Sequence, residues 1–234
     1  MAQFQFRKFE LIPVIIKNLL IINGLVWLAQ ITLGRTFPIE DMFALHDVHS
    51  SLFRPYQLLT HMFMHDPQNI AHLLFNMLAL WMFGSALENV WGPKRFLIFY
   101  IASGLGAAVL HLIVLYYQHG QLLEQFHYMN SLQQATYANK VKQIIDEPTL
   151  GASGAVFGCL AGFGYLFPNT YILIYFLFPI KAKWFVIIYA ALELFAGVQA
   201  SAGDNVAHFA HLGGAIVGFL LVYFWNKRNR QHFY

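Results

Sequence analysis

Three short stretches of this chain place hydrogen-bonding side chains inside otherwise apolar sequence. In Ala71-His72-Leu73-Leu74-Phe75-Asn76 the His and the Asn are four residues apart. They share one face of a helix, and both can donate hydrogen bonds. In Gly151-Ala152-Ser153-Gly154 a hydroxyl stands at the head of an apolar run. The first backbone amides of a helix are unpaired and can hold a developing oxyanion. In Val206-Ala207-His208-Phe209-Ala210-His211-Leu212-Gly213-Gly214 two imidazoles open a third run. A serine, a base and further donors are the inventory of a nucleophilic hydrolase. Each stretch taken alone has a plainer reading. His72 and Asn76 fit a helix–helix hydrogen-bonding pair, and Gly154, Gly158 and Gly162 fit a small-residue packing ridge. His211 shares a face with Gly214, Ala215 and Gly218, which fits a packed histidine equally well.

The elements that must position these groups follow from composition. Of 234 residues, 58% are hydrophobic, 17% aromatic and only 11% charged. A soluble domain is about 25% charged, so a globule of this length could not cover its apolar surface. Disorder is excluded on the same ground. A net charge of +3 argues against a nucleic-acid partner. The expected fold class is an all-α polytopic membrane protein in a lipid bilayer, built as a single domain over residues 1–234. Six apolar runs reach the length of a span, at residues 11–33, 70–90, 96–117, 150–167, 184–200 and 206–225. They are continuous rather than alternating, which argues against a transmembrane barrel. The apolar piece 171–180, between Pro168 and Pro179, either extends the fourth span or lies at the interface.

Lys and Arg on alternate sides of six spans divide ten against four. Arg7, Lys8, Lys17, Lys94, Arg95, Lys181, Lys183, Lys227, Arg228 and Arg230 face Arg35, Arg54, Lys140 and Lys142. The positive-inside rule then puts both termini in the cytoplasm. The first run lacks a small-residue cleavage site and reads as a retained span. Residues 34–69 are too apolar for a solvated loop and are expected to dip into the interface. Residues 119–148 read as an external insertion forming an interfacial helix, with Leu122, Leu123, Phe126, Met129 and Leu132 at helical spacing. The single cysteine, Cys159, reads as a buried core residue.

With an internal N-terminus, spans two, four and six all run from outside to inside. His72, Asn76, Ser153 and His211 therefore lie at one depth, near the outer ends of their spans, as if around one water-accessible cavity. Polar groups inside spans are costly and mark function by default.

These motifs, their order and their placement resemble a rhomboid intramembrane serine protease of the bacterial six-span type. The resemblance extends to Phe53-Arg54-Pro55-Tyr56-Gln57-Leu58-Leu59-Thr60 before the second span, with Phe53 at a position more often Trp. Gly84 and Glu88 match a Gly-x-x-x-Glu at that span's inner end. The resemblance implies an integral, multi-pass protein of the bacterial cytoplasmic (inner) membrane. It implies that Ser153 is the nucleophile and His211 the general base, a dyad with no acidic third member. It implies an oxyanion hole of His72, Asn76 and the Ser153 backbone amide, supported by Gly151, Gly154 and Gly214. Phe157, one turn below Ser153, takes the place of an aromatic that stacks on the catalytic His. The implied reaction is endoproteolysis of transmembrane protein substrates, single-span proteins cut near the outer interface, without cofactor or metal.

Other classes fit less well. His208 is a rival base, one turn nearer the outside. Eleven histidines allow a metalloprotease, but no His-Glu-x-x-His is present. No aspartate lies within a span, as an aspartyl intramembrane protease would need. Glu193 in the fifth span hints at a transporter, yet no inverted repeat supports one, and a lone Glu in a span more often pairs with a neighbour or lines water. A catalytically silent rhomboid-like protein that binds membrane clients is the alternative. Such relatives typically lose the Ser or the His, and both are present here.

Overall fold

The computed structural model describes residues 9–174, 177–199 and 208–229. The expected span residues Ala200, Val206 and Ala207, and the charges Arg7, Lys8 and Arg230, lie outside the described residues. The helices are α1 (Val14–Leu33), α2 (Ile39–Phe43), α3 (Gln57–Thr60), α4 (Ile70–Ala79), α5 (Ser85–Trp91), α6 (Pro93–His127), α7 (Ser131–Ile145), α8 (Ser153–Leu166), α9 (Ala182–Gln199) and α10 (His208–Asn229). A wide π-type turn, Leu80–Gly84, joins α4 to α5, so that Ile70–Trp91 runs as one rod.

Among the described residues, five helical rods are long and apolar enough to cross a membrane: Val14–Leu33, Ile70–Trp91, Pro93–His127, Ala182–Gln199 and His208–Lys227. The fourth expected span, 150–167, forms a helix of only 14 residues. At 1.5 Å per residue it is about 21 Å long, short of a hydrocarbon core of about 30 Å. Its shortness has a local cause. Leu150–Ala152 precede it without helical structure, Gly151 takes a φ of +130°, and Pro168 disfavours helix in the residue before it.

This short helix is the hub of the core. Ten of its 14 residues are buried, and it packs against α10, α6 and α9. A Cβ on Gly214 would overlap the carbonyl oxygen of Gly154, and one on Gly218 would meet Gly158 backbone at 2.7 Å. Only glycine permits this approach. Around it gather Tyr100, Phe96, Phe99, Leu80, Leu87 and Ile16, all buried. At the other end of the second rod, Glu88 accepts from the amides of Ile15 and Ile16, both at 2.9 Å. The carboxylate thus caps the amino terminus of α1, where unpaired amides and the helix dipole favour negative charge.

Two expectations are corrected. The piece 171–180 does not extend the fourth span as a helix. Strands β1 (Tyr171–Ile174) and β2 (Phe178–Lys181) pair antiparallel, with Tyr171 opposite Lys181. The architecture is therefore mostly helical rather than all-α. Pro179 removes an amide that a helix interior would need, while Tyr171-Ile172-Leu173-Ile174 is rich in strand-favouring side chains. Second, 119–148 is not one amphipathic helix. The third rod continues to His127, well past residue 117, and α7 starts afresh at Ser131. Asn130 accepts from the Gln133 amide at 2.9 Å while the Gln133 side chain accepts from the Asn130 amide at 3.1 Å. This reciprocal cap fixes the break. It separates Leu122, Leu123 and Phe126 from Leu132, which is exposed.

Residues 34–69 fold into short helices around buried polar side chains. Gln57 accepts from the Arg54 amide at 3.0 Å and donates to the Leu52 carbonyl at 3.0 Å. Gln30 ties this segment to α1, donating to the His65 carbonyl at 2.7 Å and accepting from its amide at 2.9 Å. Leu45 and Thr149 exchange backbone hydrogen bonds at 2.8 Å, and Ser50 donates to Asp146 at 2.6 Å. The segment after α1 and the one before α8 are thereby bound together. Asp47 is buried beside His49 and His119. Burial opposes its ionisation, but these partners outweigh it and hold the carboxyl below the usual range.

Candidate active site

The site is built where the amino ends of α4, α8 and α10 converge. Ser153 is the first residue of α8. Its amide belongs to the first turn, where no carbonyl of the helix can reach it. The preceding stretch is fixed from both sides. The Gly151 amide donates to the His61 carbonyl at 3.0 Å, and Thr149 is bound by Leu45. At Gly151 a Cβ would lie 3.1 Å from His72 Nε2 and 3.6 Å from Ser153 Oγ. The positive φ and the crowding both call for glycine here.

His211 Nε2 lies 2.8 Å from Ser153 Oγ. Its ring stacks on Phe157 with centroids 4.2 Å apart and planes 5° from parallel. Phe157 itself leans on Tyr189 of α9. The glycine contact of α8 with α10 lies directly beneath and sets this spacing. The structure brings His211 to the hydroxyl.

His72 stands across Gly151 from Ser153. The Asp66 amide approaches its Nδ1 at 3.5 Å, a long contact, and this favours hydrogen on the Nε2 that faces Gly151. Asn76, one turn on, donates to the His72 carbonyl at 2.9 Å. An amide nitrogen carries two hydrogens, so one is left for the cavity. Both residues line an open groove of about 920 Å³ with Phe75, Ser153, Tyr189 and His211. The groove runs between α4 and α9 and has Ser153 in its floor.

One participant was not expected from the sequence. Glu193 of α9, 7% exposed, directs Oε2 at two imidazoles. His208 Nδ1 lies 2.7 Å away and His211 Nδ1 2.9 Å away. The signal for it was its charge within an apolar run. What sequence spacing could not show was which faces of α9 and α10 meet. Glu193, His208 and His211 offer one ligand atom each within 4.8 Å of one another. Imidazole and carboxylate are a donor set that suits a divalent transition ion, although the hydrogen bonds already account for all three atoms.

The comparisons with known proteins bear on the same region. The Rhomboid domain family model matches residues 52–228, which contain every residue of this site. The chain belongs to the rhomboid family. It is 32% identical to Rhomboid protein 1, mitochondrial, of Saccharomyces cerevisiae, over 68% of this chain and 39% of that protein. It is 32% identical to Rhomboid protease GluP of Bacillus subtilis, over 70% of this chain and 25% of the relative. It is 33% identical to Rhomboid protease AarA of Providencia stuartii, over 65% and 50%. The chain thus spans a quarter to a half of the length of these relatives. With family and apolar rods together, this rhomboid is an integral, multi-pass membrane protein.

Proposed function

We propose that this rhomboid is an intramembrane serine endopeptidase that cleaves single-span membrane proteins near the outer interface. The observation that carries the reading is the 2.8 Å approach of His211 Nε2 to Ser153 Oγ in the floor of an open groove. Neutral His211 takes the hydroxyl proton as Oγ attacks the peptide carbonyl carbon, then gives that proton to the leaving amine. Water enters from outside and attacks the acyl-enzyme, returning its proton through His211. The Ser153 amide, His72 Nε2–H and the second Asn76 hydrogen surround the place where the oxyanion forms. One such donor is worth about 10²–10³ in rate. Gly151, Gly154, Gly214 and Phe157 hold this geometry without touching the reacting atoms.

The groove lies between α4 and α9, and its walls include the apolar side chains of Phe75, Leu78, Met82 and Phe185. A helix conceals its peptide bonds in its own hydrogen bonds, so a substrate segment must unwind to present one to Ser153. Helices weakened by Gly, Pro or polar residues, cut at small side chains, suit this geometry. We further propose a single membrane domain of six spans, α8 being the fourth, with both termini in the cytoplasm of a bacterial cell. The ten-to-four division of Lys and Arg supports that orientation.

The test is cleavage of a single-span substrate by the protein in liposomes. Ser153→Ala and His211→Ala should each lower the rate by about 10³-fold or more, with an unchanged thermal midpoint. His208→Ala should retain more activity than His211→Ala. Full activity of either dyad variant refutes the mechanism. Substrate binding without cleavage by the wild type points instead to a client-binding rhomboid.

A further inference from the structure

His211 must do two things at once: present a lone pair to Ser153 and carry its hydrogen on the other nitrogen. Phe157 settles only half of this. Stacking at 4.2 Å and 5° fixes the plane of the ring, but a ring turned over in that plane would stack equally well. Nothing in the aromatic contact selects which nitrogen faces the serine, or which carries the hydrogen.

Glu193 supplies that choice. An ionised carboxylate only accepts hydrogen bonds, so a nitrogen 2.9 Å from Oε2 must bear hydrogen. That nitrogen is Nδ1 of His211, which leaves Nε2 as the acceptor for the Ser153 hydroxyl at 2.8 Å. When His211 takes up the serine proton, the resulting imidazolium faces a carboxylate that is already in place. His208, whose Nδ1 lies 2.7 Å from the same Oε2, anchors the carboxylate from the first turn of α10 and limits its swing.

We propose that Glu193 is a positioning residue for the reaction. It fixes the tautomer and orientation of His211 and stabilises its protonated form, so that Ser153, His211 and Glu193 form a chain of three across α8, α10 and α9. This departs from the dyad that the family resemblance implies. The proposal rests on the endopeptidase reading above. It adds a residue that acts through His211 and does not touch substrate.

The experiment compares wild type, Glu193→Gln, Glu193→Asp and Ser153→Ala in liposomes with one single-span substrate. Glu193→Gln keeps the shape but removes the charge and can donate to Nδ1. It should lower kcat by about 10- to 100-fold, less than the loss known for removing the acid of a soluble triad, and leave KM within about threefold. Glu193→Asp should recover part of that loss. A merely structural role would instead lower the thermal midpoint and leave the kcat of the folded fraction unchanged. Wild-type kcat in folded Glu193→Gln overturns the proposal, as does a loss confined to KM. The ¹⁵N resonances of His211 in micelles give a readout independent of turnover. They should report hydrogen on Nδ1 in the wild type and a shift toward Nε2 in Glu193→Gln; hydrogen on Nε2 in the wild type overturns the proposal. If the wild type cleaves nothing beyond the Ser153→Ala background, the endopeptidase reading fails, and these resonances alone decide the role of Glu193. If Glu193→Gln does not fold, Glu193→Asp and the wild-type resonances decide it.

Discussion

Two helices carry the ends of one hydrogen-bond chain and are packed in opposite ways. Ser153 belongs to α8, with ten buried residues among 14. Glu193 belongs to α9, where only three of 18 residues, Ala182, Glu193 and Gly197, are buried. The nucleophile is thus fixed by backbone against backbone, through glycines that let α10 lie on α8. The carboxylate reaches the site from a helix whose apolar side chains mostly face outward. Where lipid is as apolar as leucine, association depends on close packing and interhelical hydrogen bonds. For α8 packing suffices. For α9 the two imidazoles on Glu193 add interhelical hydrogen bonds to its contact with α10.

The largest effect should come from separating α8 and α10. Gly214→Val puts a branched side chain into the Gly154 carbonyl. It should cost more than about 4 kcal/mol, seen as loss of the folded fraction in detergent together with all activity. Acidification should come next, and it acts beside α8 rather than α9. Burial pushes both His61 and His65 down to about 4 from 6.5. Between those values the unfolded chain binds protons that the folded one refuses, so stability falls as pH drops through this window. Each histidine withdraws up to about 3 kcal/mol at 1.36 kcal/mol per pKa unit. Asp47, held low, adds a loss only at more acidic pH, as its carboxylate protonates. The thermal midpoint at pH 7 and pH 4.5 checks this, and an unchanged midpoint contradicts it. The smallest effect belongs to the outward face of α9. Leu192 is 59% exposed, and Leu192→Ala should change stability by less than about 0.5 kcal/mol. A large loss would mean that α9 is packed as tightly as α8.

The parts of the site that could be read from the sequence were those within a single helix or at a helix start. His72 with Asn76 is a spacing of four, and Ser153 stands at the head of an apolar run. Such signals are local. Glu193 was visible as a charge in the wrong solvent, but its partner depends on how α9 and α10 face each other, and sequence spacings of 15 and 18 residues contain no such information. The span count followed hydropathy, which registers apolar length and not depth. It therefore counted the stretch around α8 as a full span, although Gly151 and Pro168 shorten the helix. Hydropathy also stopped the third rod near Tyr117, whereas Gln121, Leu122, Leu123 and Glu124 continue the helix by propensity. The hairpin at Tyr171–Lys181 was hidden by its greasiness, since a short apolar run does not declare its period.

The wide turn at Leu80–Gly84 also links the two ends of the second rod. Each residue of an α-helix rotates the chain by about 100°, and a π-type turn is in effect one residue inserted into a helix. It works as a phase shifter: His72 and Asn76 lie on one side of it, and Glu88, fastened to α1, lies on the other. Excising one residue from 80–84 would swing the outer half by about 100° relative to the inner. Glu88 would still cap α1, while His72 would turn away from Ser153. Hydropathy, charge and span number would hardly register that deletion, yet the two ends of the rod would have lost their common register.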